Sequence, residues 1–364
     1  MSGPQYPPSP AAGIIRVLIV DDSKVARLQL KHLLEKDSRI QVLGMVADGK
    51  TAIDFIATEK PDVVLMDIHM PGMDGFETTR KIMETKPAPI VICSGTVDPA
   101  DTVTAFKVLE AGAVACVEKP GGPEHPNYER RVMELRETIR LMSEVKVVRR
   151  WPQARRDLYR SSAPTLPSPV PSSRITKLLC VAIGASTGGP PVLQSILTAL
   201  PANFPAPILI VQHIAAGFLP GLIDWLNQST SLAVEMAVHR SVPMAGHVYL
   251  APDDCHLTVD AQGRMILGKE PTENGLRPAV SQLFRSVAAC FGSNSIGILL
   301  TGMGRDGAAE LKLLRQAGAV TVAQNRETSV VHGMPGEAIL LGAAEQILSP
   351  DEIAQLLLRF APAP

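Results

Sequence analysis

Short apolar runs alternate with amphipathic stretches along the first part of the chain. The runs are IIRVLIV (14–20), IQVLGMV (40–46), DVVLM (62–66), PIVIC (89–93) and AVACV (113–117). Such runs, bounded by polar residues, predict strands, and the stretches between them, such as KVARLQLKHLLEK and DTVTAFKVLEAG, predict helices. Five strands with crossover helices imply a parallel sheet covered on both faces. A last helix over about 127–147 follows from the spacing of Val132, Leu135, Ile139 and Met142.

The pattern then stops. RRWPQARRDLYRSSAPTLPSPVPSS (149–173) is basic and then rich in Pro and Ser, with no periodic apolar face, and reads as an extended linker. A second α/β pattern begins near Ile175. Its expected strands are KLLCVAI, APILIVQ, LAVEMAV, HVYLAP, CHLTVD with RMILG, SIGILLT and VTVAQ. A hairpin is expected at Asp260–Gly263, with some antiparallel additions to a mostly parallel sheet. The division predicted is a disordered tail (1–13), a five-stranded parallel α/β domain (14–148), a linker (149–174) and a doubly wound, mostly parallel α/β domain (175–358).

At 364 residues the chain has room for two domains of roughly 100–200 residues each. A formal net charge of -1 removes any global case for nucleic acid or an anionic membrane as partner. Cys93, Cys116, Cys180, Cys255 and Cys290 are widely spaced and form no CxxC pair, which suits reduced structural thiols. MSGPQYPPSPAAG has no basic patch leading into an apolar run, so it does not read as a signal peptide. The quoted apolar runs are far too short to span a membrane. The expectation is a soluble cytoplasmic protein.

In an open parallel sheet, groups just beyond the strand carboxyl ends converge in one crevice. In the first domain these are Asp21 and Asp22, Asp67, Ser94 and Lys119. Three carboxylates repel unless a hard divalent cation such as Mg2+ joins them, and a phosphoryl group on Asp67 fits that company. Plainer readings exist, since Asp21 and Asp22 precede Ser23 and could cap a helix. The stretches LIVDDS, DVVLMDIHMPGMDG, PIVICSGT and VEKP resemble the receiver domain of two-component response regulators. The resemblance implies Asp67 as phospho-acceptor. It also implies Mg2+ held by Asp22, Asp67 and the His69 carbonyl with help from Asp21, and Ser94 and Lys119 facing the phosphoryl group. Such domains often carry an aromatic on the fifth strand, where this chain has Ala115 and Cys116.

In the second domain three sharp turns follow apolar strands: GASTGGPP with Ser186, VQHIAAGF with His213, and LLTGMGRDG with Met303 and Asp306. Ser186 fits three roles, a helix cap, a phosphate ligand or a nucleophile. GASTGG lacks GxGxxG spacing, and the chain has no GxxxxGK[ST] stretch, which disfavours a nucleotide site. A serine needs an imidazole to take its proton, and the imidazole needs a carboxylate, so parallel strands at all three turns would assemble a hydrolytic site. Neither GxSxG nor the usual α/β-hydrolase order of partners is met. His239, His247, His256 and His332 share no i,i+4 helical face and read as structural or rim residues rather than zinc ligands.

Residues 175–358 resemble the catalytic domain of chemotaxis protein-glutamate methylesterases. The matching stretches are VAIGASTGGP, VQHIAAGF, GHVYLAPDDCHL, RPAVSQLF, GILLTGMGRDGA, TVAQNRETSVVHGMP and EAI. The resemblance implies a Ser186–His213–Asp306 triad, with Thr187 positioning the histidine and the Met303 amide in the oxyanion hole. The family commonly has Asp where this chain has Ser281 and Asn325. The activity implied is hydrolysis of glutamyl 5-methyl esters on chemoreceptor helices without a cofactor, switched on by phosphorylation, with glutamine deamidation in some members. Implied partners are a chemotaxis-type histidine kinase and methyl-accepting chemoreceptors, at receptor arrays, with neither nucleic acid binding nor membrane insertion. The receiver helices near 75–85 and 99–111 are expected to form part of an inhibitory surface. Rival readings are the same chemistry on a non-chemotaxis array, a catalytically silent binding regulator, and a DNA-binding output, against which the absence of a basic helix-turn-helix counts.

Overall fold

The computed structural model describes residues 13–95, 106–109, 111–124, 128–145, 147 and 177–362. The expected tail and linker, and most of the helix expected at 99–111, lie outside them. The chain divides into two compact units, Met1–Thr96 with Ala111–Pro152, and Val97–Glu110 with Gln153–Pro364. The second unit thus takes in Phe106, whose ring stacks on Trp225 with centroids 5.6 Å apart.

In the first unit the strands are β1 (Ile15–Val20), β2 (Ile40–Val46), β3 (Val63–Met66), β4 (Ile90–Ser94) and β5 (Ala115–Glu118). They form one parallel sheet in the order β2-β1-β3-β4-β5. β1, β3 and β4 are buried almost throughout, because helices cover both faces, and so they read as continuous apolar runs. Helix Tyr128–Met142 buries the four predicted residues Val132, Leu135, Ile139 and Met142.

In the second unit seven strands make one parallel sheet in the order β14-β13-β12-β6-β7-β9-β8. They are β6 (Cys180–Ala185), β7 (Ile208–Gln212), β8 (Ala233–Met236), β9 (His247–Leu250), β12 (Ser295–Leu299), β13 (Val320–Gln324) and β14 (Gln346–Leu348). The expected hairpin is present as β10 (His256–Val259) paired antiparallel with β11 (Met265–Gly268), with the turn at Asp260–Gly263. It forms a sheet of its own, so the main sheet has no antiparallel strand among the described residues. β14, with only three residues, is an edge strand that the hydrophobic pattern did not reveal.

The helix Val280–Phe291 lies on this sheet through Val280, Leu283, Phe284 and Val287, all fully buried. Gly184 in β6 makes that approach possible. A Cβ added there would lie 2.3 Å from Val280 Cγ1 and 3.0 Å from Leu299 Cδ1. Gly184→Val is therefore expected to destabilise the second unit by about 1–3 kcal/mol through overpacking, read as a lower urea midpoint with the same m-value.

Candidate active site and acidic pocket

The register of three neighbouring strands brings the expected groups of the second unit together. β6 lies between β12 and β7, with Leu299 opposite Gly184 and Gln212 opposite Ala185. Just past the strand ends, the Ser186 N–H donates to the Thr301 carbonyl (3.0 Å), and the His213 N–H to the Ala185 carbonyl (2.9 Å). The turn holding Met303 runs so close to Ser186 that a Cβ on Gly302 would sit 2.6 Å from Ser186 Cβ. Met303 itself is 37% exposed.

Ser186 is not the cap of the helix that follows it. Helix Gly189–Thr198 has Gly188 at its N-cap with φ +77°, no side-chain cap bond, and Pro190 and Pro191 in its first turn. Gly188 meets two demands at once, since a Cβ there would also strike Val330 at 2.6 Å. The Ser186 hydroxyl is thereby released from a capping duty.

Asp306 is 1% exposed and closely held. Its Oδ2 accepts the Val280 N–H at 2.6 Å, and its Oδ1 accepts the Ser281 hydroxyl (2.7 Å), the Ser281 N–H (3.2 Å) and the Asn274 amide (3.3 Å). His213 Nε2 stands 3.1 Å from Oδ2. That is an ion-pair distance without hydrogen-bond alignment, and Nε2 is a buried atom with no aligned partner. Burial pushes the Asp306 carboxyl up, but His213, the Ser281 hydroxyl and the Val280 amide outweigh it and hold the group below the ordinary aspartate value.

Several supporting residues were not read from the sequence. Gln212 Nε2 donates to both the Ser186 and His213 carbonyls, each at 2.8 Å. Gln324, fully buried at the end of β13, accepts the Thr301 N–H at 2.8 Å and donates to the Thr328 carbonyl and hydroxyl. Thr301 Oγ1 accepts the Val331 N–H and donates to the Thr187 carbonyl at 2.9 Å. A polar residue closing an apolar strand was the available signal for Gln212, and a glutamine ending a buried strand that already holds Thr321 was a weaker one for Gln324. His256, read as structural, is 1% exposed; its Nδ1 accepts the Ala279 N–H and its Nε2 faces the Pro271 carbonyl.

In the first unit Asp21, Asp22 and Asp67 each offer an oxygen within 4.8 Å of the others. Ser23, not either aspartate, caps helix Lys24–Leu34. The Asp21 Oδ1 accepts the Ser23 N–H at 2.9 Å, leaving its buried Oδ2 facing Lys119 Nζ at 2.7 Å. Lys119 also reaches Asp67 Oδ2 at 2.9 Å. Burial pushes the Asp67 carboxyl above the ordinary value, more strongly than Lys119 pulls it down. Burial alone would lower the lysine, but Asp21 and Asp67 keep it above its usual value. Ser94 ends β4, 2% exposed, with no partner for its hydroxyl. His69 follows two residues after Asp67 and is exposed. An all-oxygen set with an under-neutralised Asp67 fits a hard divalent cation such as Mg2+.

A five-stranded receiver-type sheet with this acidic pocket, followed by a parallel α/β domain carrying serine, histidine and aspartate at adjoining strand ends, defines a response regulator joined to a hydrolase. The response regulator receiver domain model matches residues 17–125, and the CheB methylesterase model matches residues 181–357. A Geobacter metallireducens protein named protein-glutamate methylesterase/protein-glutamine glutaminase 4 is 52% identical over 351 residues, 96% of this chain and 99% of that one. A Nitrosospira multiformis protein of the same name without the numeral is 48% identical, over 94% of this chain and 96% of that one. The Thermotoga maritima CheB methylesterase catalytic domain is 38% identical, with a TM-score of 0.50, covering 51% of this chain and all of that one. The chain belongs to the CheB methylesterase family, an enzyme family that joins a receiver to a methylesterase domain. No helix among the described residues is long and apolar enough to cross a membrane.

The lowered Asp306 value fixes a sign. Its stabilising effect is complete above the unfolded-state carboxyl value, about 3.9, and is lost as pH falls through the folded value. Asp306→Asn is expected to cost about 1–3 kcal/mol at pH 7, a gap in urea midpoint that narrows as the pH drops below about 4.

Proposed function

We propose that the protein is a phosphorylation-activated protein-glutamate methylesterase, in which Ser186, His213 and Asp306 carry the hydrolysis. The observation that supports this most is the meeting of the three at adjoining strand ends, with Asp306 buried against His213 at 3.1 Å. With Nε2 turned to Asp306, Nδ1 is the ring nitrogen that takes the Ser186 proton. Ser186 Oγ attacks the carbonyl carbon of a glutamyl 5-methyl ester, and the negative charge gathering on the carbonyl oxygen is received by the Met303 amide. His213 returns the proton to the departing oxygen, which leaves as methanol. Water, deprotonated by His213, then attacks the acyl-serine, frees the glutamate carboxylate and restores the serine. A glutamine side chain takes the same path with ammonia as the leaving group, which accounts for a deamidase activity. Thr187 carries the loop between Ser186 and Gly188, and its carbonyl is fixed by Thr301. No cofactor enters the ester chemistry.

Asp67 is the phospho-acceptor in this reading, and Ser94 and Lys119 contact its phosphoryl oxygens. Asp21, Asp22, Asp67 and the His69 carbonyl would hold Mg2+, which supplies charge neutralisation during phosphoryl transfer. The free Ser94 hydroxyl is available to turn towards a new acceptor. The functional domains are 14–148 and 175–358, joined by 149–174. A chemotaxis-type histidine kinase is the phosphate source, methylated cytoplasmic helices of chemoreceptors are the substrate, and the place of action is the cytoplasm at receptor arrays.

Two outcomes test this. Ser186→Ala is expected to keep the wild-type thermal transition while methanol release from a methylated chemoreceptor fragment falls by at least about 10³-fold. Acetyl phosphate with Mg2+ is expected to raise the wild-type rate and leave Asp67→Asn unchanged. An equal response in that variant would exclude Asp67 as the acceptor.

A further inference from the structure

The second oxygen of Asp306, Oδ1, meets a side chain whose proton has two claimants. Ser281 is 1% exposed. Its Oγ lies 2.7 Å from Asp306 Oδ1 and also 2.7 Å from Glu310 Oε2, and it accepts the Gly307 N–H at 3.0 Å. A hydroxyl has one proton to donate and two lone pairs to offer. The Gly307 amide takes one lone pair, so two carboxyl groups compete for the single proton. The Glu310 side chain is only 14% exposed, and its other oxygen is 3.2 Å from Arg285 Nη2. That guanidinium is drawn more closely to Glu273, at 2.6 Å. Arg285 therefore does not free Ser281 from Glu310.

We propose that Ser281 is a positioning residue for hydrolysis and that Glu310 sets how much of its hydroxyl proton reaches Asp306. The proposal rests on the triad reading of Ser186, His213 and Asp306. A donor on Oδ1 does two things. It fixes the plane of the carboxylate, so that Oδ2 stays on His213, and it draws charge away from Oδ2, which makes the pair less eager to keep the imidazolium proton. Ionised Glu310 acts against both, by adding a negative charge and by claiming the Ser281 proton. The groups facing Asp306 are His213 from the loop after β7, Val280 and Ser281 from the helix, and Asn274 from the segment before it. Glu310, Arg285 and Glu273 are the charged groups linked to it through Ser281.

The test uses the full chain and initial rates of methanol release from a methyl-esterified chemoreceptor cytoplasmic fragment between pH 5 and 9. Ser281→Ala is expected to lower kcat roughly tenfold with little change in KM. Its acid limb of kcat/KM should move to higher pH, by about half a unit, because an Asp306 relieved of one donor holds the imidazolium proton more firmly. Ser281→Thr keeps the hydroxyl and should recover most of kcat. Glu310→Gln should move the acid limb the other way. It removes a negative charge, and its amide can donate to Ser281 Oγ and release the hydroxyl proton to Asp306.

Acid limbs that coincide in wild type, Ser281→Ala and Glu310→Gln overturn the proposal. So does a Ser281→Thr protein as impaired as Ser281→Ala. Labelling with a fluorophosphonate separates the two readings. A wild-type protein that labels at Ser186 while the limbs coincide loses only the role of Ser281, whereas one that does not label at Ser186 loses the triad as well.

Discussion

The second unit is organised around one electrostatic exchange, the docking of the Asp306 carboxylate on the N-terminus of helix Val280–Phe291. The N-cap residue of that helix is Ala279, which has no side-chain oxygen, and no side chain of the helix's own caps it. Left alone, its first amides would be buried donors without acceptors. Asp306 has the opposite problem, a buried charge that needs donors. Val280 and Ser281 supply N–H groups to the two oxygens, and the partial positive charge of the helix end adds to them. Each group removes the other's penalty. Several local features follow from this contact. Gly307, with φ +79°, must be glycine twice over, since a Cβ there would also lie 2.4 Å from Val280 Cγ1. Gly184 must be small for the same valine to reach the sheet.

The acidic pocket of the first unit is built in the opposite way. Asp306 has more donors than it needs to stay ionised, whereas Asp67 has one backbone donor, from Ile68, and a share of Lys119. Burial therefore wins at Asp67 and loses at Asp306. A closed network of donors holds the Asp306 charge in place beside the His213 ring. The shortfall of positive groups at Asp67 suits a hard divalent cation. The unpartnered Ser94 hydroxyl and the inward-facing Asp21 Oδ2 belong to that open design.

The strand ends carrying Asp21, Asp67, Ser94, Ser186, His213 and Asp306 were legible in the sequence, because buried parallel strands read as short apolar runs that stop at polar residues. Ser186 itself was ambiguous. Only the backbone conformation of Gly188 removes it from the cap position. The supports of Asp306 were hidden for a different reason. Val280 and Ser281 precede it by about 25 residues. Val280 acts through its backbone N–H alone, which leaves no mark on residue type. Nothing in the sequence pairs the Ser281 hydroxyl with so distant a carboxylate. β14 was missed because Gln346-Ile347-Leu348 is an edge strand too short to show alternation. The expected antiparallel addition is the β10–β11 hairpin, and it stands apart from the main sheet, whose β8 and β9 pair parallel.

Gln212 shows how the loops of Ser186 and His213 are tied together. Its amide nitrogen bridges the carbonyls of Ser186 and His213, while its Oε1 is buried without a partner. Turning the amide over would set an oxygen against two carbonyl oxygens, replacing two attractive contacts with two repulsive ones. One unmet acceptor is the smaller penalty, so the observed orientation is fixed. The loops of Ser186 and His213 are thereby held on one frame, that of β6 and β7, while Asp306 belongs to another, that of β12 and helix Val280–Phe291. The two frames meet side chain to side chain at the 3.1 Å contact between His213 and Asp306, which lacks hydrogen-bond alignment. A small rotation of the imidazole would bring that contact into hydrogen-bond alignment.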